Sequence, residues 1–391
     1  MFSSRTNWPL APNRLSELLR ERRARDLPIL DLTESNPTRC GFALDEEAWL
    51  APLRQSRALT YEPDPRGLPS AREAVAQYYA QHGVELDPDQ IFLTASTSEA
   101  YSFVFRLLAN PGEKVLVPQP SYPLFDFLGA LNDVEVLSYP LVYDGGWQVD
   151  LEELATRCDG RTRAILVVHP NNPTGSYVRQ DERERITELC RRHEAAIIAD
   201  EVFADYALGE DAKRVRTHAA PGEALTFTLS GLSKIAALPQ MKLGWIVVSG
   251  PRHLRKEAEA RLEVIADTYL SASAPVMLAA PAWLARRHET QAQILHRVRA
   301  NLAKLDDLLR PGRPLSRLHV EGGWYAVLRV PATCSDEDWA AEALTHEGVW
   351  VHPGHFYDFP TQGSLVLSLL PPQEAFGTAV SRLIALVCAR S

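Results

Sequence analysis

The sequence predicts an α/β protein, with a large domain on a mainly parallel seven-stranded sheet and a smaller α+β domain made from the two ends of the chain. Three observations carry this. Short, continuously apolar, β-branched runs alternate with helical stretches, the pattern of strands buried on both faces and joined by helical crossovers. From about residue 252 long helical sequence replaces that alternation. The length, 391 residues, exceeds what one small core organises, so two lobes are expected.

The elements follow in order. After an irregular start, "LPSAREAVAQYYAQHG" reads as a helix with Ser70 as cap, Glu73 completing a capping box and Gly83 as stop. "IFLTA" at 91–95 is a strand leading into a helix over about 98–109, which Asn110-Pro111-Gly112 ends. "KVLVP" (114–118), "VEVLSYP" (134–140), "AILVVHP" (164–170), "AAIIAD" (195–200), "LTFTLS" (225–230) and "WIVVSG" (245–250) complete the seven strands. "LEELATRC" and "ERERITELCRRHEA" supply helices between them. Helical sequence then runs with interruptions to 309, where "PGRP" breaks it. "GGWYAVLRV", a capped helix at 335–347, "VWVHPG", "SLVLSLL" and a last helix from Pro372 form the smaller lobe. The expected division is 46–285 for the large domain, with 1–45 and 286–391 together forming the small one.

Composition narrows the function. The formal charge of −9 argues against a general phosphate-backbone binder, and no nucleic-acid motif, P-loop or Gly-x-Gly-x-x-Gly is present. Five scattered cysteines show no zinc spacing and suit reduced thiols, so no metal is expected. The N-terminal stretch lacks the apolar core of a signal peptide, and no window approaches a membrane span. A cytoplasmic protein that binds neither membrane nor nucleic acid is expected.

The informative residues lie at strand ends. "HPNNPTG" (169–175) follows one predicted strand, "ADEVFADY" (199–206) the next and "SGLSK" (230–234) another. Three carboxyl ends thus offer Asn172, Asp200 and Lys234 to one crevice, where open α/β sheets bind ligands. Singly, Asn172-Pro173 reads as a turn, Asp200 as a helix cap and Lys234 as a solvated loop lysine. Their ordered coincidence points to a site.

From these residues outward the chain resembles the fold-type I pyridoxal-phosphate enzymes, and among them the class I/II aminotransferases. The motifs occur in family order over nearly the whole length: "YEPDPRGLPSAREAVA", "TASTSEA", "PSYPLF", "NNPTG", "DEVF", "SGLSK", "LPQMKLGW" and "HPGHF". The resemblance implies pyridoxal 5'-phosphate bound to Lys234 as a Schiff base, with the same lysine shuttling a proton during transfer. It implies that Asp200 pairs with the ring nitrogen and keeps the ring an electron sink. Asn172 matches the donor to the ring 3-oxygen, and Tyr122 the aromatic that stacks on the ring. Thr97 and Ser98 fall where a helix begins, so their amides and the helix dipole suit the phosphate. Ser230 or Ser233 adds a hydroxyl, and Lys242 a positive charge. Tyr61 matches a tyrosine that reaches the phosphate from a neighbouring subunit, which implies a homodimer.

Three positions depart from the family pattern. Lys242 stands where arginine is usual, keeping the charge but losing the planar fork. Phe203 stands where many members have a tyrosine touching the 3-oxygen, a change expected to raise the pKa of the lysine–cofactor imine. Val366 stands where an arginine binds the substrate α-carboxylate, and a buried valine leaves such a charge unpaired. Arg39, His355 and Asn36 lie in segments that approach the cleft in relatives and are the substrate-binding candidates together with Val366. The expected activity is amino-group transfer between an amine or amino acid and a 2-oxo acid, with glutamate and alanine turned over slowly. A lyase, decarboxylase or racemase on the same scaffold, or a non-catalytic pyridoxal-phosphate-binding module, are the alternatives.

Overall fold

The computed structural model describes residues 1–390. Among the described residues, fourteen strands form three sheets. In chain order they are β1 Leu30–Asp31, β2 Ile91–Thr94, β3 Lys114–Gln119, β4 Glu135–Tyr143, β5 Trp147–Val149, β6 Thr162–Val168 and β7 Ala196–Asp200. They continue with β8 Thr226–Gly231, β9 Gly244–Ser249, β10 Ser316–Arg317, β11 Tyr325–Arg329, β12 Val349–Trp350, β13 His352–Pro353 and β14 Ser364–Ser368. The large sheet runs β2-β9-β8-β7-β6-β3-β4-β5. Its central pairs β8/β7, β7/β6, β6/β3 and β3/β4 are parallel, whereas β9 and β5 run against their neighbours. The α/β class is as expected, with one strand more than the seven read from the sequence.

The eighth strand, β5, escapes a pattern search because it has only three residues and pairs solely with β4 across a tight connection. Gly145 in that connection has φ of +66°, a conformation glycine adopts without steric cost. A second difference concerns the helix at Pro69–Gln81. Leu68 occupies the cap position and no side chain caps the helix, so the expected Ser70–Glu73 capping box is not formed. Pro69 explains this: its fixed φ and missing N–H suit the first helical position, which starts the helix ahead of Ser70.

Continuous apolar strands bury both faces of the large sheet. Along β9, Ile246 and Val248 pack into one cluster with Phe92, Phe227 and the helices Thr97–Leu108 and Arg252–Tyr269. Trp245 and Val247, one residue out of phase, pack on the opposite face with Trp283 and Leu243. This two-residue alternation is the pleat, and each such side chain contributes about 1.5–3 kcal/mol on burial. The smaller sheet runs β10-β11-β14-β13, and β1 pairs in parallel with β12. Its core joins Trp324, Leu328, Leu365 and Leu367 to the closing helix Gln373–Arg390 and to Leu15 and Leu32 near the N-terminus. No helix among the described residues is long and apolar enough to cross a membrane.

Candidate active site

The parallel register aligns three strand ends. Val168 of β6 lies opposite Asp200 of β7, and Asp200 lies opposite Leu229 of β8. The chain leaving each end supplies Asn172, Asp200 and Lys234, and all three line one cavity of about 180 Å³. Thr97, Ser98, Tyr122, Phe203 and Ser233 line it too.

Lys234 sits in the short helix Leu232–Ile235 that follows β8. Its carbonyl accepts a hydrogen bond of 2.6 Å from the Tyr206 hydroxyl, which fixes the turn. Its Nζ lies 5.0 Å from the ring centre of Trp324 and 5.5 Å from that of Phe203. Burial among these rings lowers the ammonium pKa to about 8, and the negative charge of Asp200 opposes that shift only in part. A lysine so placed supplies free amine near neutral pH.

Asp200 is held from two sides. The Tyr101 hydroxyl donates to Oδ2 at 2.7 Å, and the backbone N–H of Val202 donates to Oδ1 at 3.0 Å. Burial pushes the carboxyl pKa up, against these two donors and the charge of Lys234. A protonated group brought to this carboxylate would offset the cost of burying its charge.

Adjacent asparagines divide their work. Asn171 donates to the Pro120 carbonyl at 2.9 Å and accepts from the Ser121 hydroxyl at 3.1 Å, tying its turn to the loop before Tyr122. Asn172 is left facing the cavity, its Oδ1 buried and without a hydrogen-bond partner. The same amide carries an NH2 donor, and rotation of the terminal amide presents either group to a ligand in the cavity.

The other end of the cavity is a backbone cradle. Ser96 caps the helix Thr97–Leu108, its Oγ accepting from the Glu99 N–H at 3.2 Å. The Thr97 and Ser98 amides thus belong to the open first turn, where the helix dipole favours an anion. Gly244 lets β9 close on this turn, and Gly231 lets the end of β8 close on the start of β9. A Cβ at Gly244 would lie 2.9 Å from the Ser96 carbonyl carbon and 3.0 Å from the Thr97 nitrogen, and one at Gly231 2.8 Å from the Leu243 oxygen. A cradle for an anion, an unmet amide, a clasped carboxylate and a neutralisable amine fit pyridoxal phosphate, whose phosphate, 3-oxygen, ring nitrogen and aldehyde need those four partners.

Seven candidates do not line the cavity. The Ser230 hydroxyl turns to the Glu201 carbonyl at 3.4 Å, so Ser233 is the serine of this motif that faces the cavity. Lys242 is exposed in the left-handed conformation, two residues before Gly244 and so beside the cradle. Tyr61 is 76% exposed and lines a separate surface cavity with Leu93 and Met277. Asn36 uses its Oδ1 to accept from the Thr38 N–H and hydroxyl, at 3.1 and 2.8 Å, capping a turn. Arg39 and His355 are exposed, and Val366 is buried at 1% exposure in the small sheet, paired with Val327 and His352. In place of these four, Ser35 and Tyr325 bring the small lobe to the cavity. Tyr101, Ser35 and Tyr325 are the lining residues with polar side chains that sequence reasoning missed. Spacing carried a signal for Tyr101, which lies one helical turn beyond Thr97 on the same face.

The chain and its fold are similar to known proteins. The model of the family described as aminotransferase class I and II matches residues 28–383. A glutamate-pyruvate aminotransferase AlaA from Haemophilus influenzae is 27% identical over 362 residues, covering 91% of this chain and 89% of that protein. The protein of the same name from Escherichia coli is 31% identical over 248 residues, 63% of this chain and 61% of its own length. A solved aminotransferase from Escherichia coli superposes with a TM-score of 0.87 at 24% identity, covering 99% of this chain and 98% of that one. The chain therefore belongs to the class I and II aminotransferases, pyridoxal-phosphate enzymes that transfer amino groups.

Proposed function

We propose that the strand-end residues perform this transfer as one unit, with Lys234 as the cofactor-bearing lysine and proton carrier. The observation that carries the reading is the convergence of Asn172, Asp200 and Lys234 on one cavity from adjoining strand ends. When bound, the cofactor supplies an electron sink for the pair released when a bond at the substrate's amino-bearing carbon breaks. Asp200 would hold the ring nitrogen protonated, Asn172 would meet the 3-oxygen through its NH2, and Tyr122 would stack on the ring. The Thr97 and Ser98 amides, Ser233 and the neighbouring Lys242 would hold the phosphate. Lys234 Nζ, its basicity lowered by burial, would take up the proton released at the substrate's amino-bearing carbon and give it back during transfer.

Substrate recognition falls to the other wall. Ser35 and Tyr325 offer neutral hydrogen bonds, and Leu124, Phe125 and Leu128 offer apolar contact. Such a surface orients a donor by shape and hydrogen bonding, without the ion pair that a guanidinium at position 366 would give a carboxylate. Glutamate and alanine, the substrates suggested by the relatives' names, are on this reading weak donors, and amines or larger apolar amino acids are preferred.

The same reading extends to assembly. Leu59, Tyr61, Val264, Tyr269 and Leu270 are exposed apolar side chains in the segments around the cavity that holds Tyr61. A homodimer covers them and lets Tyr61 serve its partner's cofactor phosphate. The helix Ala274–Leu308 supports the division into 46–285 and 1–45 with 286–391. Its early residues Met277, Trp283 and Leu284 join the large-sheet core, and its later residues Ile294, Val298 and Leu305 the small-lobe core. Free thiols at all five cysteines suit a cytoplasmic setting.

The test is a half-reaction. Holoenzyme given a panel of amines and amino acids without acceptor should release one carbonyl product per site and then stop. Adding a 2-oxo acid should restart it. Continued ammonia release without acceptor would contradict transfer in favour of lyase chemistry.

A further inference from the structure

The clasp on Asp200 gives Tyr101 a task, resting on the assignment of Asp200 to the cofactor's ring nitrogen. We propose that Tyr101 is a positioning residue, whose hydroxyl fixes the Asp200 carboxylate in the orientation that meets that nitrogen.

Four observations carry this. The hydroxyl donates to Asp200 Oδ2 at 2.7 Å while Val202 N–H donates to Oδ1 at 3.0 Å, so each oxygen has a donor and the carboxylate plane is set. Tyr101 is 3% exposed, and its ring is held edge-on against Phe125 at 5.6 Å and tilted against Phe105 at 6.0 Å. It lines the same cavity as Asp200. It also belongs to the helix whose first turn carries Thr97 and Ser98, so one rigid element places both the anion cradle and the donor to Asp200. Burial and the neighbouring carboxylate push the phenol pKa well above its ordinary value, so Tyr101 remains the donor of this pair.

The consequence is a preorganised acceptor. Without the hydroxyl, Oδ2 loses a buried charge-assisted hydrogen bond, and the carboxylate is free to rotate about its remaining tie to Val202. The loss should be felt only by a ligand that carries the ring nitrogen.

Tyr101→Phe keeps the ring and removes the donor. The probes are pyridoxal 5'-phosphate and its 1-deaza analogue, in which carbon replaces the ring nitrogen, each titrated into the full-length apoprotein with affinity read by fluorescence. Tyr101→Phe should weaken pyridoxal phosphate about tenfold and leave the deaza analogue within about twofold of wild type. Asp200→Asn should show the same selective loss, and the double variant should lose little more than Asp200→Asn alone. Should Tyr101→Phe not fold, Tyr101→Leu is read by the same ratio. An equal loss for both ligands, or no loss, in the Tyr101 variant while Asp200→Asn remains selective would overturn the proposal and leave the Asp200 assignment standing. An Asp200→Asn variant that does not distinguish the two ligands would remove that assignment and this proposal with it.

Discussion

The two walls of the cavity are built differently. Asn172, Asp200 and Lys234 leave adjoining strand ends whose register is set by the parallel ladder. Ser35 and Tyr325 reach the cavity from an N-terminal segment and from β11, elements separated from each other by nearly the whole chain. The first wall is fixed by the backbone hydrogen bonding of adjoining parallel strands. The second depends on how the two lobes meet, and a single pleat position decides which residue is presented. Val366 packs toward Tyr139, Val327 and Tyr357, whereas its neighbours Leu365 and Leu367 pack into the small-lobe core. On the proposed reading, the transfer chemistry sits on the wall set by the sheet, and substrate choice on the wall set by how the lobes meet.

Substitutions on the first wall should remove chemistry outright. Lys234→Ala should lower transfer about a thousandfold or more, since it removes both the attachment point and the proton carrier. Steady-state assays with the best donor, at saturating cofactor, measure this. Asp200→Asn should retain cofactor and lose about 10- to 1,000-fold in rate, the range spanned when an opposite charge that shifts a pKa by about 1–3 units is withdrawn. An undiminished rate would show that the first wall is not the catalytic one.

On the second wall, Val366→Arg sharpens the contrast. The site is packed among valine, tyrosine and histidine neighbours, so the longer charged side chain should cost about 1–3 kcal/mol of stability and bring no gain with glutamate. Thermal melts and kcat/KM for glutamate measure both arms. A tenfold gain would show that the second wall keeps the family's carboxylate pose.

The smallest effect concerns apoprotein stability. Lys234 has its folded-state pKa lowered from 10.5 to about 8, so between those values the unfolded chain binds more protons and stability rises with pH. Below pH about 8 the buried ammonium opposes folding. Lys234→Met apoprotein should therefore melt above wild type at pH 7, with the advantage shrinking as pH rises from about 8 toward 10.5. A constant difference across that range would assign the effect to packing.

What the sequence made legible follows the same division. Strands buried on both faces declare themselves by uninterrupted apolar runs, so seven of the eight strands of the large sheet and the residues following their ends were readable. The three-residue β5 carries too short a run to register. Pro69 overrode Ser70 as a helix-start signal because proline's geometry acts one residue earlier. On the small-lobe side, Asn36 and Arg39 sat beside Ser35, the residue that faces the cavity, and no period in so irregular a segment marks which neighbour turns inward. Tyr325 lies in a strand whose pleat was readable but whose facing partner was not, because lobe packing is a long-range property.

The central claim is that Lys234, alone among the lysines, carries the cofactor in a site made by three strand ends. Borohydride reduction of the holoenzyme followed by proteolysis and peptide mass mapping tests it most directly. The account predicts the reduced cofactor's mass on the peptide containing Lys234 and on no other. Finding it reproducibly on Lys242, eight residues on in the exposed loop before β9, or on any other lysine would contradict it.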